Sequence, residues 1–499
     1  MSAFPWLSVL AGLPLVGAAV VMLTPRSRPG IARIVALVFA VATLVGVIAM
    51  ALQFDGSSTD LFQFVESYPW IPALGIGYSM GIDGMALVLI GLAATLVPIV
   101  ILSAWRDPEN GSVRGYFALI LALETTMIGV FAATDLFLFY VFFEVMLVPI
   151  YFLIGRYGGP QRSYAAVKFL LYSLVGGLLL LAALIGLFVV GLQTTGQATF
   201  DYEGLSSIPI DPNVQKMLFL GFFIAFAIKA PLWPFHTWLP DAAGQSTPAT
   251  SILLIGILDK VGTFGMLRYC LPIFPAASEF YAPVVIGMAL IGIFYGGYVA
   301  LVQTDMKRLF AYSSLSHFGF IALGIFVFTA IGQSGSIVYM VAHGLSVAAL
   351  FMTAGFLMQR NRGSSLISDY GGINKPAPVL AGFFLFAALS SLALPGLVSF
   401  VGEFMVLLGA FERLMIVGAV ATLGIVLTAA YVLRVYQRTM TGPVPESLAN
   451  MPDLKGREIT ALVPIVALTI LLGVFPAPIL NVVNPTVDRI VAVVEGNGQ

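Results

Sequence analysis

The chain is short of charge: only 9% of its 499 residues are Asp, Glu, Lys or Arg, against about 25% in soluble domains. Apolar residues fill the gap, 59% of the total, and the mean hydropathy is +1.00. Such a composition excludes a water-soluble fold and defines an integral membrane protein. Cysteine is nearly absent. The single Cys270 rules out a disulfide framework, a Cys-rich zinc site and Cys-ligated iron–sulfur clusters. A net charge of -1 offers nothing to draw nucleic acid or an acidic partner. There is no GxGxxG at a strand–helix junction and no P-loop. No basic stretch precedes the first apolar run, "MSAFPWLSVLAGLPLVGAAVVMLTP"; Arg26, Arg28 and Arg33 follow it, so it reads as a retained span and not a cleaved signal. Soluble domains and low-complexity linkers are also missing.

What remains is a series of apolar runs, each about the 20 residues that a bilayer-crossing helix needs. Fourteen are expected, near 5–23, 31–51, 79–104, 113–132, 134–154, 165–191, 215–239, 248–270, 281–301, 305–331, 335–360, 377–410, 412–438 and 460–480. Basic residues test the count, because cytoplasmic loops collect Lys and Arg. With the N-terminus outside, seventeen of the 23 lie on inner loops and inner span ends. Lys216, Arg268, Arg413 and Arg489 lie on outer ends, and the remaining two are Lys229 and Lys260. So clean a partition supports fourteen spans with both termini outside.

Charges inside the spans carry the functional information, since one at the bilayer centre costs at least about 2.5–3.5 kcal/mol. Glu144, in "FLFYVFFEVMLVPIYFLIG", lies nine residues from Asp135 and twelve from Arg156, about 13 and 18 Å along a helix and so near the midplane. Lys229 and Lys260 sit as deep, Glu124 and His317 are near mid-span, and Glu403 and His343 are slightly shallower. Lone structural polar groups scatter in depth; these form a layer. Plainer readings exist for each. Glu144 and Lys229 form a static ion pair in one of them; each histidine alone also suits a hydrogen-bonded packing role. Asp259 has Lys260 beside it for a local pair, and Asp83 lies near a Gly-rich outer helix start.

Two spans are interrupted. In "FAIKAPLWPFHTWLPDA", Pro231 and Pro234 follow Lys229 and precede His236, freeing the carbonyls of Ala227 and Ala230. In "LSSLALPGLVSF", Pro395 and Gly396 break the span that carries Glu403. Irregular backbone survives in lipid only where protein buries it or a wet cavity adjoins it. Paired broken helices in two halves of a chain mark a transport site. The two halves also share an opening: "TDLFLFYVFFE" at Thr134 and "TDMKRLFAYSS" at Thr304. Spans four to eight and nine to thirteen then form two five-helix repeats, with the broken helices at spans seven and twelve. An odd span number makes the repeats inverted. The expected fold is an all-α polytopic membrane protein: residues 1–112 with three spans, 113–270 and 281–438 as two half-channels, and 439–499 as a loop and last span.

"VFFEVMLVPIYFLIGRYGG", "AFAIKAPLWPFHTWLPDAAGQSTPATSILLIGILDKVGTFGMLRY", "DMKRLFAYSSLSHFGFIALG" and "LPGLVSFVGEF" closely resemble the antiporter-like membrane subunits of respiratory complex I. These share ancestry with multi-subunit sodium/proton antiporters, and the resemblance spans nearly the whole chain. The acid Glu403 on the second broken helix points to the chain-4 branch; sister subunits usually have lysine there. The long C-terminal lateral helix of the most distal subunit is not seen.

The resemblance implies a proton-translocating subunit of a bacterial cell membrane, flanked by sister subunits. The electron-transfer groups (FMN, iron–sulfur clusters and quinone) are expected in other subunits and none in this chain. His317 and His343 on facing helices also admit a haem, but no second pair exists and the surrounding charges suit protons better. Burial disfavours an ammonium and a nearby carboxylate restores it, so movement of Glu144 relative to Lys229 is expected to switch the lysine. A tenfold change in protonation is only about 1.4 kcal/mol. Lys229 is expected to take a proton from the inner side and pass it along waters and His236, His317 and His343 to Lys260, with Glu403 as the terminal acid. The alternative is a cation/proton antiporter subunit without a redox partner, or a subunit of a membrane hydrogenase or ferredoxin-driven relative.

Overall fold

A long apolar run satisfies its own backbone in lipid only as a helix. The computed structural model, which describes residues 4–107, 111–197 and 199–496, is built of such helices. Among the described residues thirteen are long and apolar enough to cross a membrane. Twelve of them coincide with the twelve unbroken spans expected above. The other two expected spans, the seventh and the twelfth, are present as split helices: Pro212–Lys229 with Trp238–Gln245, and Pro378–Ser391 with Val398–Arg413.

Two features depart from the sequence reading. The third span begins at Gly84 and not at 79, because residues before it form a strand hairpin, Gln63–Ile71 against Ile76–Ile82. Gly75 closes its turn at φ 66, a left-handed conformation that glycine adopts without steric cost. Glu66 of the first strand accepts hydrogen bonds from Leu7 N at 2.7 Å and from Ser8 Oγ, tying the first span to it. The thirteenth long helix, Ala477–Gly496, follows the last expected span. Asn481, Asn484, Asp488 and Arg489 interrupt its apolar run, which is why it reads poorly as a span. Its buried side, with Ile479, Val483, Val487 and Ile490, covers the start of the third span, where the Val482 carbonyl meets Gly84. Ser334, at the start of the eleventh span, donates to Asn484 Oδ1 at 2.9 Å.

The repeat expected from two "TD" openings has a backbone counterpart. Leu136 N donates to Phe200 O at 2.8 Å and Tyr202 N to Thr134 O at 3.0 Å. In the second half Met306 N donates to Ser365 O and Ile367 N to Thr304 O, both at 2.9 Å. Asp135 and Asp305 each cap the helix that follows. The same two-bond bridge thus ties each opening to the loop before its broken helix, one on each face of the molecule.

The breaks are closed alike. Pro231 denies Ala227 O its usual donor, but the carbonyl is not left free: Leu232 N reaches it at 2.9 Å, and the Trp238 indole N–H takes Ile228 O at 2.9 Å. In the twelfth span Leu394 N donates to Leu389 O at 3.1 Å, the same six-residue closure. Ala393 and Gly396 there adopt positive φ, 59° and 95°.

Asp83 is a structural residue. It caps the third span through Ala86 N at 2.9 Å and pairs with Arg268 at 2.7 Å, the two side chains 2% and 5% exposed. Removing one partner of a buried pair leaves an uncompensated charge, a loss of about 3–5 kcal/mol. Arg268→Met is therefore expected to lower the thermal tolerance of the detergent-solubilised protein by that order; an unchanged unfolding midpoint would contradict the pairing.

Candidate functional site

Lys229 is the last residue of its half-helix and is 1% exposed. Its Nζ receives no hydrogen bond or ion pair from the described residues; it lies 4.4 Å from the centre of the Phe143 ring. The neighbour of Phe143 in sequence is Glu144, partly buried, packed over Gly177 of the sixth span with Oε1 unpartnered. Glu144 and Lys229 act on one another's charge without forming a contact pair. A static ion pair locking two helices is thus not what the structure contains. An aromatic face holds the ammonium, and the acid stands off.

Lys260 is wholly buried, between two widened π-helical turns, Leu254–Leu258 and Met266–Cys270, a distortion frequent at functional positions. One turn before it, Gly256 crosses Gly344 of the eleventh span with almost no side chain between the backbones. That crossing brings Lys260 Nζ to 2.8 Å from His343 Nδ1 while it also donates to Ile255 O. The His343 and His317 rings lie 5.4 Å apart, inclined at 55°. His317 Nδ1 is 2.7 Å from the Tyr339 hydroxyl, and that hydroxyl donates to Glu403 Oε2 at 2.7 Å. Gly402, packed directly on Tyr339, permits this approach. Lys260, His343, His317, Tyr339 and Glu403 therefore form one buried series across the eighth, eleventh, tenth and twelfth spans. Every link but that between the two imidazoles is a hydrogen bond. Since each Nδ1 is already engaged, a haem iron has only the Nε2 atoms left to bind, and His317 Nε2 faces Ser391 Oγ at 3.3 Å.

Tyr339 is the member of this series that the sequence conceals. Its one signal is spacing: it precedes His343 by four residues, one helical turn, and so shares its face. The histidines depart from expectation. The structure seats none of the three expected relays between Lys229 and Lys260: His343 and His317 lie beyond Lys260, toward Glu403, and the His236 ring edges Tyr295 at 5.1 Å, its nitrogens without a partner among the described residues. The cation acting on it is Lys168, which pairs with Asp241 at 2.7 Å, as Arg308 does. The reason is the break itself: the helix ends at Lys229, and residues 230–237 carry His236 beside Tyr295, Tyr312 and Lys168. Glu124 is 0% exposed, and neither carboxyl oxygen has a hydrogen-bond partner among the described residues. Asp259 does not pair with Lys260; both its oxygens are unpartnered. Pro231, Pro234 and Pro395 all lie within the breaks.

An open cavity of about 810 Å³ lies at the face bearing Arg156, Arg162, Lys307 and Arg362, and Lys307 Nζ donates to Ser246 O across its wall at 3.0 Å.

Broken helices, inverted repeats and a buried series of ionisable groups define an antiporter-type channel subunit. Residues 133–428 match the family described as "NADH:quinone oxidoreductase/Mrp antiporter, TM". The chain belongs to this family. Among its relatives is the NADH-quinone oxidoreductase subunit M of Mycobacterium tuberculosis (strain ATCC 25618 / H37Rv), 49% identical over 98% of this chain and 94% of the relative. The Escherichia coli (strain K12) subunit M is 38% identical over 97% of each. A chain of respiratory complex I from Thermus thermophilus with bound NADH superposes with TM-score 0.89 at 32% identity, covering 98% of this chain and 99% of that one. A chain of the Mrp complex from Dietzia sp. DQ12-45-1b shares the fold, with TM-score 0.83 at 23% identity; this chain covers 52% of its length.

Tyr339→Phe keeps the ring and deletes the hydroxyl between His317 and Glu403. A hydrogen bond to a charged group is worth about 1.5–3 kcal/mol, so proton translocation is expected to fall roughly tenfold or more. Vesicle acidification measures this, and wild-type rates in the variant would remove Tyr339 from the path.

Proposed function

We propose that this chain is the subunit M of a bacterial NADH–quinone oxidoreductase, a proton-translocating member of its membrane arm. NADH oxidation and quinone reduction take place in other subunits, which hold the FMN, the iron–sulfur clusters and the quinone. The observation that carries the reading is the buried series from Lys260 to Glu403, with an unpaired lysine, Lys229, at the helix break beside it. A set of charges kept for stability alone would be paired, because apolar packing stabilises as well at lower cost.

The residues take these roles. Lys229 loads a proton, favoured when Glu144 is near and disfavoured when it withdraws. Lys260 receives it, the two imidazoles and the Tyr339 hydroxyl conduct it, and Glu403 holds it last. His236 belongs to the supply side, near Lys168 and Asp241. The cavity beside Lys307 is the aqueous approach. The chain lies in the bacterial plasma membrane with both termini on the outer side, in keeping with its partition of Lys and Arg. Sister antiporter-like subunits flank it. Two features support that: Glu144 is only partly buried, and the backbone break at Leu394, Pro395 and Gly396 is exposed, which lipid alone does not tolerate.

Affinity purification of the tagged chain in mild detergent tests the assignment. Flavin, iron–sulfur clusters and inhibitor-sensitive quinone reduction are expected in the eluate. Recovery with small membrane subunits only, and with sodium/proton exchange, would replace it by the antiporter reading. In the assembled enzyme Lys229→Ala is expected to abolish proton pumping while NADH oxidation by a hydrophilic electron acceptor continues. Normal pumping in that variant would reject the role of Lys229.

A further inference from the structure

Lys229 and Lys260 stand on adjacent spans with no hydrogen bond between them. Gly262 and Gly265 of the eighth span define the side packed on the seventh, against Phe226 and the backbone of Ala230, the residue after Lys229. Lys260 leaves the helix on the opposite side, toward His343. At 3.6 residues per turn, Asp259 projects about a quarter-turn from each of these directions, on the flank that joins the face packed on the seventh span to the face bearing Lys260. The cations that act on its carboxyl are Lys260 and Lys229.

Its partners are as informative as its place. Asp83, Asp135, Asp201, Asp211 and Asp305 accept backbone N–H groups at helix starts, and Asp241 joins two cations. Asp259 does neither: it is 0% exposed and both oxygens lack a partner, even with Lys260 beside it. As a packing residue it would carry a large desolvation cost with nothing to offset it.

We propose that Asp259 is the proton carrier between Lys229 and Lys260. The Lys229 ammonium gives its proton to the Asp259 carboxylate, leaving a neutral amine and a neutral acid. The acid then protonates the Lys260 amine and returns to carboxylate. In a dry interior the neutral pair competes with the ion pair, because desolvation of two charges offsets their attraction. The intermediate acid is neutral, so the crossing between spans adds no further charge to the apolar layer. This step deepens the proposed function and rests on it.

The test uses the assembled complex in inverted membrane vesicles, comparing Asp259→Asn, Asp259→Glu and Lys229→Ala with the unmodified enzyme. NADH oxidation by a hydrophilic acceptor reports electron input, and a trapped pH dye reports pumping. Asp259→Asn is expected to pump more than about tenfold more slowly at unchanged electron input, and Asp259→Glu to keep most of the rate. Wild-type pumping in Asp259→Asn, or equal loss in both variants, overturns the proposal. Should Lys229→Ala also pump normally, the proposed function itself falls; should Lys229→Ala alone be silent, only the Asp259 step does. Where the Asn variant does not assemble, infrared difference spectra of turnover decide. A carboxylic-acid C=O band that shifts in Asp259→Glu supports the step, and a band indifferent to that change overturns it.

Discussion

The structure turns on close backbone contact at the depth where charge is most costly. Gly256 against Gly344 lets the eighth and eleventh spans touch, and Lys260 meets His343 beside that crossing. Gly402 against Tyr339 does the same for the eleventh and twelfth, and the hydroxyl meets Glu403. A short hydrogen bond between side chains on different helices needs axes nearer than large residues permit. Without these small contacts each ionisable group would stand alone in an apolar bundle at several kcal/mol. The hydrogen-bonded series and the close contacts that pack it occupy the same places.

The broken helices solve the opposite problem. Ending a helix at Lys229 exposes carbonyls where no lipid group can satisfy them. Leu232 N and the Trp238 indole recover two of them, and Leu394 N does the corresponding work in the other half. The break is thereby stable enough to persist and still offers the lysine no partner. A charge held by an aromatic face, with its carboxylate at a distance, has two states that small movements can exchange. This is the property a coupled transporter needs, and one that a tight ion pair lacks.

Much of this was legible in the sequence because lipid imposes simple rules. Run length gave the twelve unbroken spans and the two split ones. Counting residues placed Glu144, Lys229, Lys260 and Glu403 well inside their spans, and the breaks followed from Pro231, Pro234 and Pro395. The hairpin at residues 63–82 escaped because it lies outside the spans, where period and length constrain less. The helix Ala477–Gly496 escaped because its polar residues mask it as loop. The order of the histidines escaped because residue types along a chain do not show what each side chain faces: His343 and His317 lie beyond Lys260, and His236 leaves with the broken segment.

The sequence alone determined that the chain crosses a membrane many times, that charges recur at one depth, and that two helices are broken in related places. Each of these depends on local spacing along one chain direction. Tertiary structure alone decided which charges meet: that Glu144 stands apart from Lys229, that Lys260 turns to His343, and that Tyr339 joins His317 to Glu403. Those pairs lie 22 to 85 residues apart, on helices whose rotation and crossing are set by glycine contacts, and no periodicity within one span specifies what another will face.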